Sequence, residues 1–126
     1  MAFTGPTAGD FISGGIVSTS STTVAVRATA NLTEPTGARQ CQGVQFQQVT
    51  GNTDVVYICT TATPTLTGTM EGVLLVMREA ADTSVPLPVY VVGNPSGAGP
   101  INAAELYVLG AVADEGLLVT ILGPTT

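Results

Sequence analysis

The chain of 126 residues contains no lysine, no histidine and no tryptophan, and only 10% of its residues are charged. Without histidine it lacks the usual general base and the commonest metal ligand. Without lysine it can form neither a Schiff base nor the lysine contact of a phosphate-binding loop. Two cysteines without histidine cannot complete a four-ligand zinc site. These absences predict a protein that is not an enzyme and that carries no cofactor and no metal.

Nine acidic residues are the remaining candidates for catalysis. A glycosidase needs two facing carboxylates in a cleft, and three Tyr with three Phe offer a poor platform for a sugar. Almost every acid lies beside a predicted turn or strand end, where solvation is the ordinary explanation. No stretch has the ligand spacing of a calcium-binding EF-hand loop. We therefore predict no catalytic residue.

Positive charge is scarce, because Arg27, Arg39 and Arg78 are the only basic residues and the net charge is −6. Binding to nucleic acid depends on clustered Lys and Arg, and an anionic membrane would repel this chain. No apolar stretch is long enough for a membrane helix. The first fifteen residues have neither the basic nor the apolar region of a secretory signal, so we expect the protein to stay in the cytosol where it is made.

Apolar residues make up 44% of the chain, and Thr, Ser, Gln and Asn supply most of its polarity. An apolar share this large in 126 residues predicts one folded domain with a substantial core. A surface with so few charges fits an ordinary polar β-surface. It also fits a surface that a partner protein covers without stranding ions. The composition leaves both interpretations open.

Period-two alternation and turn residues predict seven to eight strands and no helix. The predicted strands are residues 22–29, 43–49, 54–59, 72–77, 89–92, 105–112 and 116–122. The fold class is therefore all-β, as a single antiparallel β-sandwich, jelly roll or small barrel over residues 21–126. The unbroken apolar run at residues 72–77 predicts a buried strand. The last two strands are expected to pair with each other.

A turn at Gly51-Asn52 predicts a hairpin between the strands at residues 43–49 and 54–59. In that register Cys59 lies three or four residues from the position opposite Cys41, which exceeds the separation that a disulfide tolerates. We therefore expect two buried thiols.

Residues 1–20 show no sustained periodicity and are interpreted as an extended N-terminal arm. The ordinary alternative is a frayed terminus. A frayed terminus would, however, expose several large apolar side chains to water without purpose. An arm lying across a neighbouring subunit would bury them, so we predict partner contacts at Phe3, Phe11, Ile12 and Ile16.

Two stretches of the chain carry a family resemblance. The first stretch has VQFQ at residues 44–47, GNTD at 51–54 and VVY at 55–57. The second has LYV at residues 106–108, AV at 111–112, DEG at 114–116 and LLVTI at 117–121. Together they span a little over a third of the chain, and they resemble small tailed-phage structural proteins, specifically head decoration (capsid cement) proteins. The chain departs from that pattern in its Thr- and Gly-rich first 20 residues and in having no lysine.

The resemblance implies a β-rich virion protein, commonly a homotrimer, that binds the major capsid protein on the capsid exterior and stabilises the head. It carries over no catalytic residues. One alternative is a receptor- or glycan-binding module of a phage fibre or tail, which would expose Tyr57, Tyr90 and Tyr107 together at one end. Another is a neck, tail-tube or bacterial shell component.

Overall fold

A computed structural model describes residues 11–30, 40–41, 43–78, 89–93 and 101–122. In these ranges the strands are β1 Phe11–Thr19, β2 Val26–Arg27, β3 Gln40–Cys41, β4 Gly43–Gln48, β5 Val56–Cys59, β6 Val73–Met77, β7 Val89–Gly93, β8 Ile101–Asn102, β9 Tyr107–Gly110 and β10 Glu115–Leu122. A single 3-10 turn at Ala103–Glu105 precedes β9. The all-β prediction is confirmed. The strand number exceeds the seven or eight expected because β1 and the very short β3 and β8 were not predicted.

Two antiparallel sheets of four strands form a sandwich. Sheet A has the order β1-β10-β4-β7, sheet B has the order β2-β9-β5-β6, and β3 pairs with β8 separately. Alternate side chains of both sheets point into one shared core. Its larger members are Val17, Val44, Phe46, Val56, Ile58, Val108, Leu117, Val119 and Ile121. No helix in the described ranges is long and apolar enough to cross a membrane.

The expected hairpin between residues 43–49 and 54–59 is wrong, although both strands exist. β4 lies in sheet A and β5 in sheet B, so residues 49–55 cross from one sheet to the other. The expected pair of β9 and β10 is wrong for the same reason, because residues 111–114 also cross between sheets. Alternation shows which side chains are buried, but facing strands and paired strands bury them equally well. We call these two crossings the arches.

The two cysteines are buried thiols, as expected, although the hairpin used to argue for them does not exist. Cys41 lies in the main core. Cys59 lies in a second cluster with Ala25 and Leu109, on the opposite face of sheet B. The sandwich therefore has apolar side chains on both faces of sheet B.

The prediction of an extended arm at residues 1–20 is wrong for its second half. Phe11–Thr19 is β1, which pairs with β10 of the same chain, and Val17 is buried in the core. A Cβ atom at Gly116 would collide with the backbone of Val17 and Ser18, so the glycine permits this close approach. Residues 1–10 lie outside the described residues, and their part of the arm stays a prediction.

Two further strand predictions need correction. The run at residues 72–77 forms β6 at an edge of sheet B, where Leu74 and Val76 are 43% and 41% exposed rather than buried. The strand expected at residues 22–29 is reduced to the two residues of β2. The predicted strands at residues 43–49 and 89–92 are confirmed as β4 and β7.

Candidate interaction surface

The outer face of sheet A is an uncharged surface built from four neighbouring strands. The sheet register places Ile16, Leu118, Gln47 and Val89 in one row across β1, β10, β4 and β7. The adjacent row contains Thr120, Gln45 and Val91. Ile16, Val89 and Val91 are each about half exposed. We call these seven residues the A face.

Charge lies elsewhere in the described part of the chain. Glu115 is the only charged residue in the sheet A strands, and it stands at the first position of β10. Its carboxylate accepts hydrogen bonds from the Thr53 backbone N–H at 2.8 Å and hydroxyl at 2.9 Å. The Asp54 N–H donates to the same carboxylate at 3.3 Å. These hydrogen bonds hold the Glu115 carboxylate against the first arch. The other charged residues described are Arg27, Asp54, Glu71, Arg78, Glu105 and Asp114.

The outer face of sheet B is covered in part by the chain itself. Leu66 from the loop of residues 60–72 packs on the cluster of Ala25, Cys59 and Leu109, together with Tyr57 and Tyr107. Removal from water raises the pKa of the Cys59 thiol from 9.0 to about 11, because burial disfavours the thiolate. The half-buried tyrosines at the margin of this cluster keep one side toward solvent.

Backbone hydrogen bonds hold that covering loop in place. Thr60 N donates to Gly72 O at 2.8 Å, and Thr65 N donates to Glu71 O at 2.8 Å, so the loop is closed on itself. The Ala25 N–H donates to Ala62 O at 2.7 Å and joins the loop to the segment before β2. The loop therefore covers the outer side of β5 and β9, whereas Leu74 and Val76 of β6 and the A face stay exposed.

A polar network joins the arches at one end of the sandwich. The Asn52 amide donates to the Gly116 carbonyl at 2.5 Å and also to the Gln48 side-chain oxygen. The Gln48 amide donates to the Arg78 carbonyl at 2.6 Å, and the Asp114 N–H donates to the Thr19 carbonyl at 2.6 Å. Each buried polar group satisfies another, which stabilises the crossings. We therefore assign these hydrogen bonds a structural role.

A cavity of about 690 Å³ lies at the opposite end of the sandwich. It is lined by Thr60, Val92, Ile101, Asn102, Glu105, Leu106 and Tyr107. Among the described lining residues Glu105 carries the one carboxylate, without a second acid that could act as a catalytic partner. The Asn102 side-chain oxygen accepts from Ala104 N at 3.0 Å and caps the 3-10 turn. In the described ranges no three His, Cys, Asp or Glu side chains are grouped as metal ligands.

The partner contacts predicted from the sequence fall in different places. Ile16 is exposed on the A face, at 52%. Phe11 and Ile12 are the first two residues of β1, and Phe3 lies outside the described residues. Sequence reasoning missed Val89 and Val91. The signal for them was present, because the apolar run at residues 89–92 is far from any charge along the chain.

The three tyrosines expected to cluster in a glycan-binding module are divided between the sheets. Tyr57 and Tyr107 lie on sheet B, in β5 and β9, and Tyr90 lies in β7 of sheet A. Arg27 stands over the Tyr107 ring at 6.0 Å from its centroid. The arrangement does not make one aromatic platform.

No protein-family model, no curated protein and no solved structure matches this chain.

Proposed function

We propose that this chain is a non-enzymatic structural protein of a virus particle, which binds the outside of a phage capsid and stabilises it. The observation that carries the proposal is the uncharged, half-exposed A face on one side of a closed sandwich. An exposed apolar patch on a folded domain marks a place where another macromolecule binds.

The charge distribution supports attachment through the A face. Burying this face removes no described charge from water, so the partner need not compensate an ion. The described acids stay on the other surfaces of the sandwich. The partner is then a protein surface, the major capsid protein, and neither a nucleic acid nor a membrane.

The resemblance to head decoration proteins supports the choice of a capsid. The stretches that carry it correspond to β4, β5, β9, β10 and the arches between them. They form the centre of the sandwich. The trimer that the resemblance implies stays a prediction. The divided tyrosines give no support to a glycan-binding module.

The proposal is tested with phage particles that lack this protein. Added wild-type protein should bind the particles and raise the temperature at which they release DNA. The variant Ile16→Lys should bind weakly, because it places a charge on the A face where a partner would bury it. The control variant Leu74→Lys changes a residue of similar exposure on sheet B and should bind like the wild type.

Particles of unchanged heat resistance with and without the protein would contradict the stabilising role. Equal binding of the two variants would show that attachment does not use the A face.

A further inference from the structure

The four edge strands of the sandwich differ in how well they are protected from pairing. An edge strand presents unpaired backbone N–H and C=O groups to any other strand that approaches. Proteins usually prevent such pairing with short edge strands, β-bulges or charged residues. The edges here are β1 and β7 of sheet A, and β2 and β6 of sheet B.

Three of these edges carry such protection. β2 has only two residues. β1 has a bulge between Ser13 and Gly15, where Gly15 adopts a positive φ of 77°. β6 has a register shift against Ile58 and Cys59 of β5, and the charged residues Glu71 and Arg78 lie next to its two ends.

β7 contains no bulge and no charged residue, and Pro88 directly before it lies outside the described residues. Its five residues pair with β4 without a register shift, from Gly93 opposite Gly43 to Val89 opposite Gln47. Its nearest charged neighbours along the chain are Asp82 and Glu105. Among the described strands, β4 lies on one side of β7 and no strand lies on the other. The strand is nevertheless strongly apolar, with Val89 and Val91 about half exposed.

We propose that β7 pairs antiparallel with β7 of a second copy of this chain around a two-fold axis. The second copy offers one unprotected edge of matching length, which is its own β7, so the contact is self-complementary. The two four-stranded sheets A then form one continuous sheet of eight strands (4 + 4).

The two-fold axis stands perpendicular to the sheet, because it relates antiparallel strands lying side by side. Both A faces therefore point in the same direction and form one uncharged surface of doubled width. The described charges of the two copies lie on sheet B, in the loops and at Glu115, the first residue of β10, and none lies in β7. The described charges therefore add no like-charge pair within the β7–β7 contact.

Val91 is the middle residue of β7. A two-fold axis through the middle of the strand places Val91 beside Val91 of the second copy, on the same side of the sheet. Like charges at that position would face each other, whereas opposite charges would attract. The strength of the dimer should therefore depend on the sign of a charge introduced at Val91 and not only on the size of the side chain.

The experiment is sedimentation equilibrium of the full chain over a range of concentrations. Wild-type protein should form a dimer. Val91→Lys and Val91→Glu should each weaken the dimer by about tenfold or more, because like charges oppose each other across the two-fold axis. An equimolar mixture of the two variants should restore dimers. The control Val76→Lys changes a residue of similar exposure on the protected edge β6 and should leave the dimer unchanged.

Circular dichroism of each variant verifies that the fold is intact. A wild-type protein that stays monomeric, a dimer indifferent to both Val91 variants, or a mixture that fails to restore dimers would each overturn the inference. A trimer indifferent to Val91, of the kind that the resemblance implies, would overturn it as well. Binding of Ile16→Lys to particles is a separate measurement, so the capsid role can fail while the dimer stands, and the reverse.

Discussion

The two sheets of this protein share one core, but their outer faces differ in cover and in charge. Sheet B is covered by its own loop of residues 60–72 and has Glu71 and Arg78 beside its edge strand β6. Sheet A has no such cover over Ile16, Val89 and Val91, and the outer side of its strands is uncharged among the described residues. Both sheets contain exposed valines and leucines, so apolar content alone does not separate them.

The difference shows that charge placement and edge protection distinguish the two sides. An exposed apolar side chain is common on any folded protein. It becomes informative when it belongs to a continuous uncharged patch beside an unprotected edge. Because this chain has so few charged residues, the positions of those described indicate which surfaces stay hydrated.

The largest expected effect comes from the core that both sheets share. Phe46→Ala in sheet A should lower the free energy of unfolding by about 3–5 kcal/mol, and Ile58→Ala in sheet B by about 2–5 kcal/mol, because each leaves a cavity among buried side chains. Denaturant unfolding followed by circular dichroism should show a single transition in both variants. Two separate transitions would indicate that the sheets do not form one cooperative unit.

A smaller effect is expected at the end where the arches meet. Glu115→Gln keeps the size of the side chain but removes the charge that accepts three hydrogen bonds from Thr53 and Asp54. We expect a loss of about 1–2 kcal/mol in the free energy of unfolding. Glu105→Gln is the matched control, because that carboxylate is exposed, and it should change stability by less than about 0.5 kcal/mol. Equal effects of the two variants would remove the structural role of Glu115.

The covering loop of sheet B should contribute less. Leu66→Ala removes a partly buried side chain from the cluster around Cys59 and should cost about 1 kcal/mol. It should also speed the reaction of the Cys59 thiol with an aromatic disulfide reagent, followed by absorbance in a Cys41→Ala background. Leu74→Ala, at an exposed position of β6, should leave that rate unchanged. An unchanged rate in Leu66→Ala would mean that the loop does not shield sheet B.

An effect of a different kind appears only in alkaline solution. Burial holds the pKa of Cys59 at about 11, above the ordinary value of 9.0, so the unfolded chain loses its proton first as the pH rises. The contribution of this thiol to the free energy of unfolding is fully present below pH 9 and is lost as the pH rises towards 11. Cys59→Ala should therefore lose less stability between pH 8 and pH 10.5 than the wild type. Parallel curves for the two proteins would contradict the burial of this thiol.

The sequence predicted which segments form strands better than it predicted which strands pair with each other. Period-two alternation identified β4, because that strand buries one face, and the flanking turn residues identified β7. It could not distinguish an arch from a hairpin, since Val44 and Val56 reach the same core from different sheets. Residues 11–19 escaped detection because their glycines and serines interrupt the apolar pattern, and the pairing with β10 depends on distant residues.

The interaction surface was only partly predictable. Ile16 was found from its apolar character in a polar segment, and it is exposed on the A face. Leu118 and Gln47 become its neighbours only through the register of three strands, which no local pattern contains. The exposure of β6 was also missed, because a continuous apolar run is typical of a buried strand and gives no sign that it lies at an edge.

The central claim is that sheet A, through β7, is the side of the molecule that other chains bind. Hydrogen–deuterium exchange of the intact chain at low and at high protein concentration tests it directly, with peptides that separate β6 from β7. The account predicts that the amides of β7 exchange more slowly at high concentration, while those of β6 exchange at an unchanged rate. Concentration-dependent protection of β6, or none in β7, would contradict it.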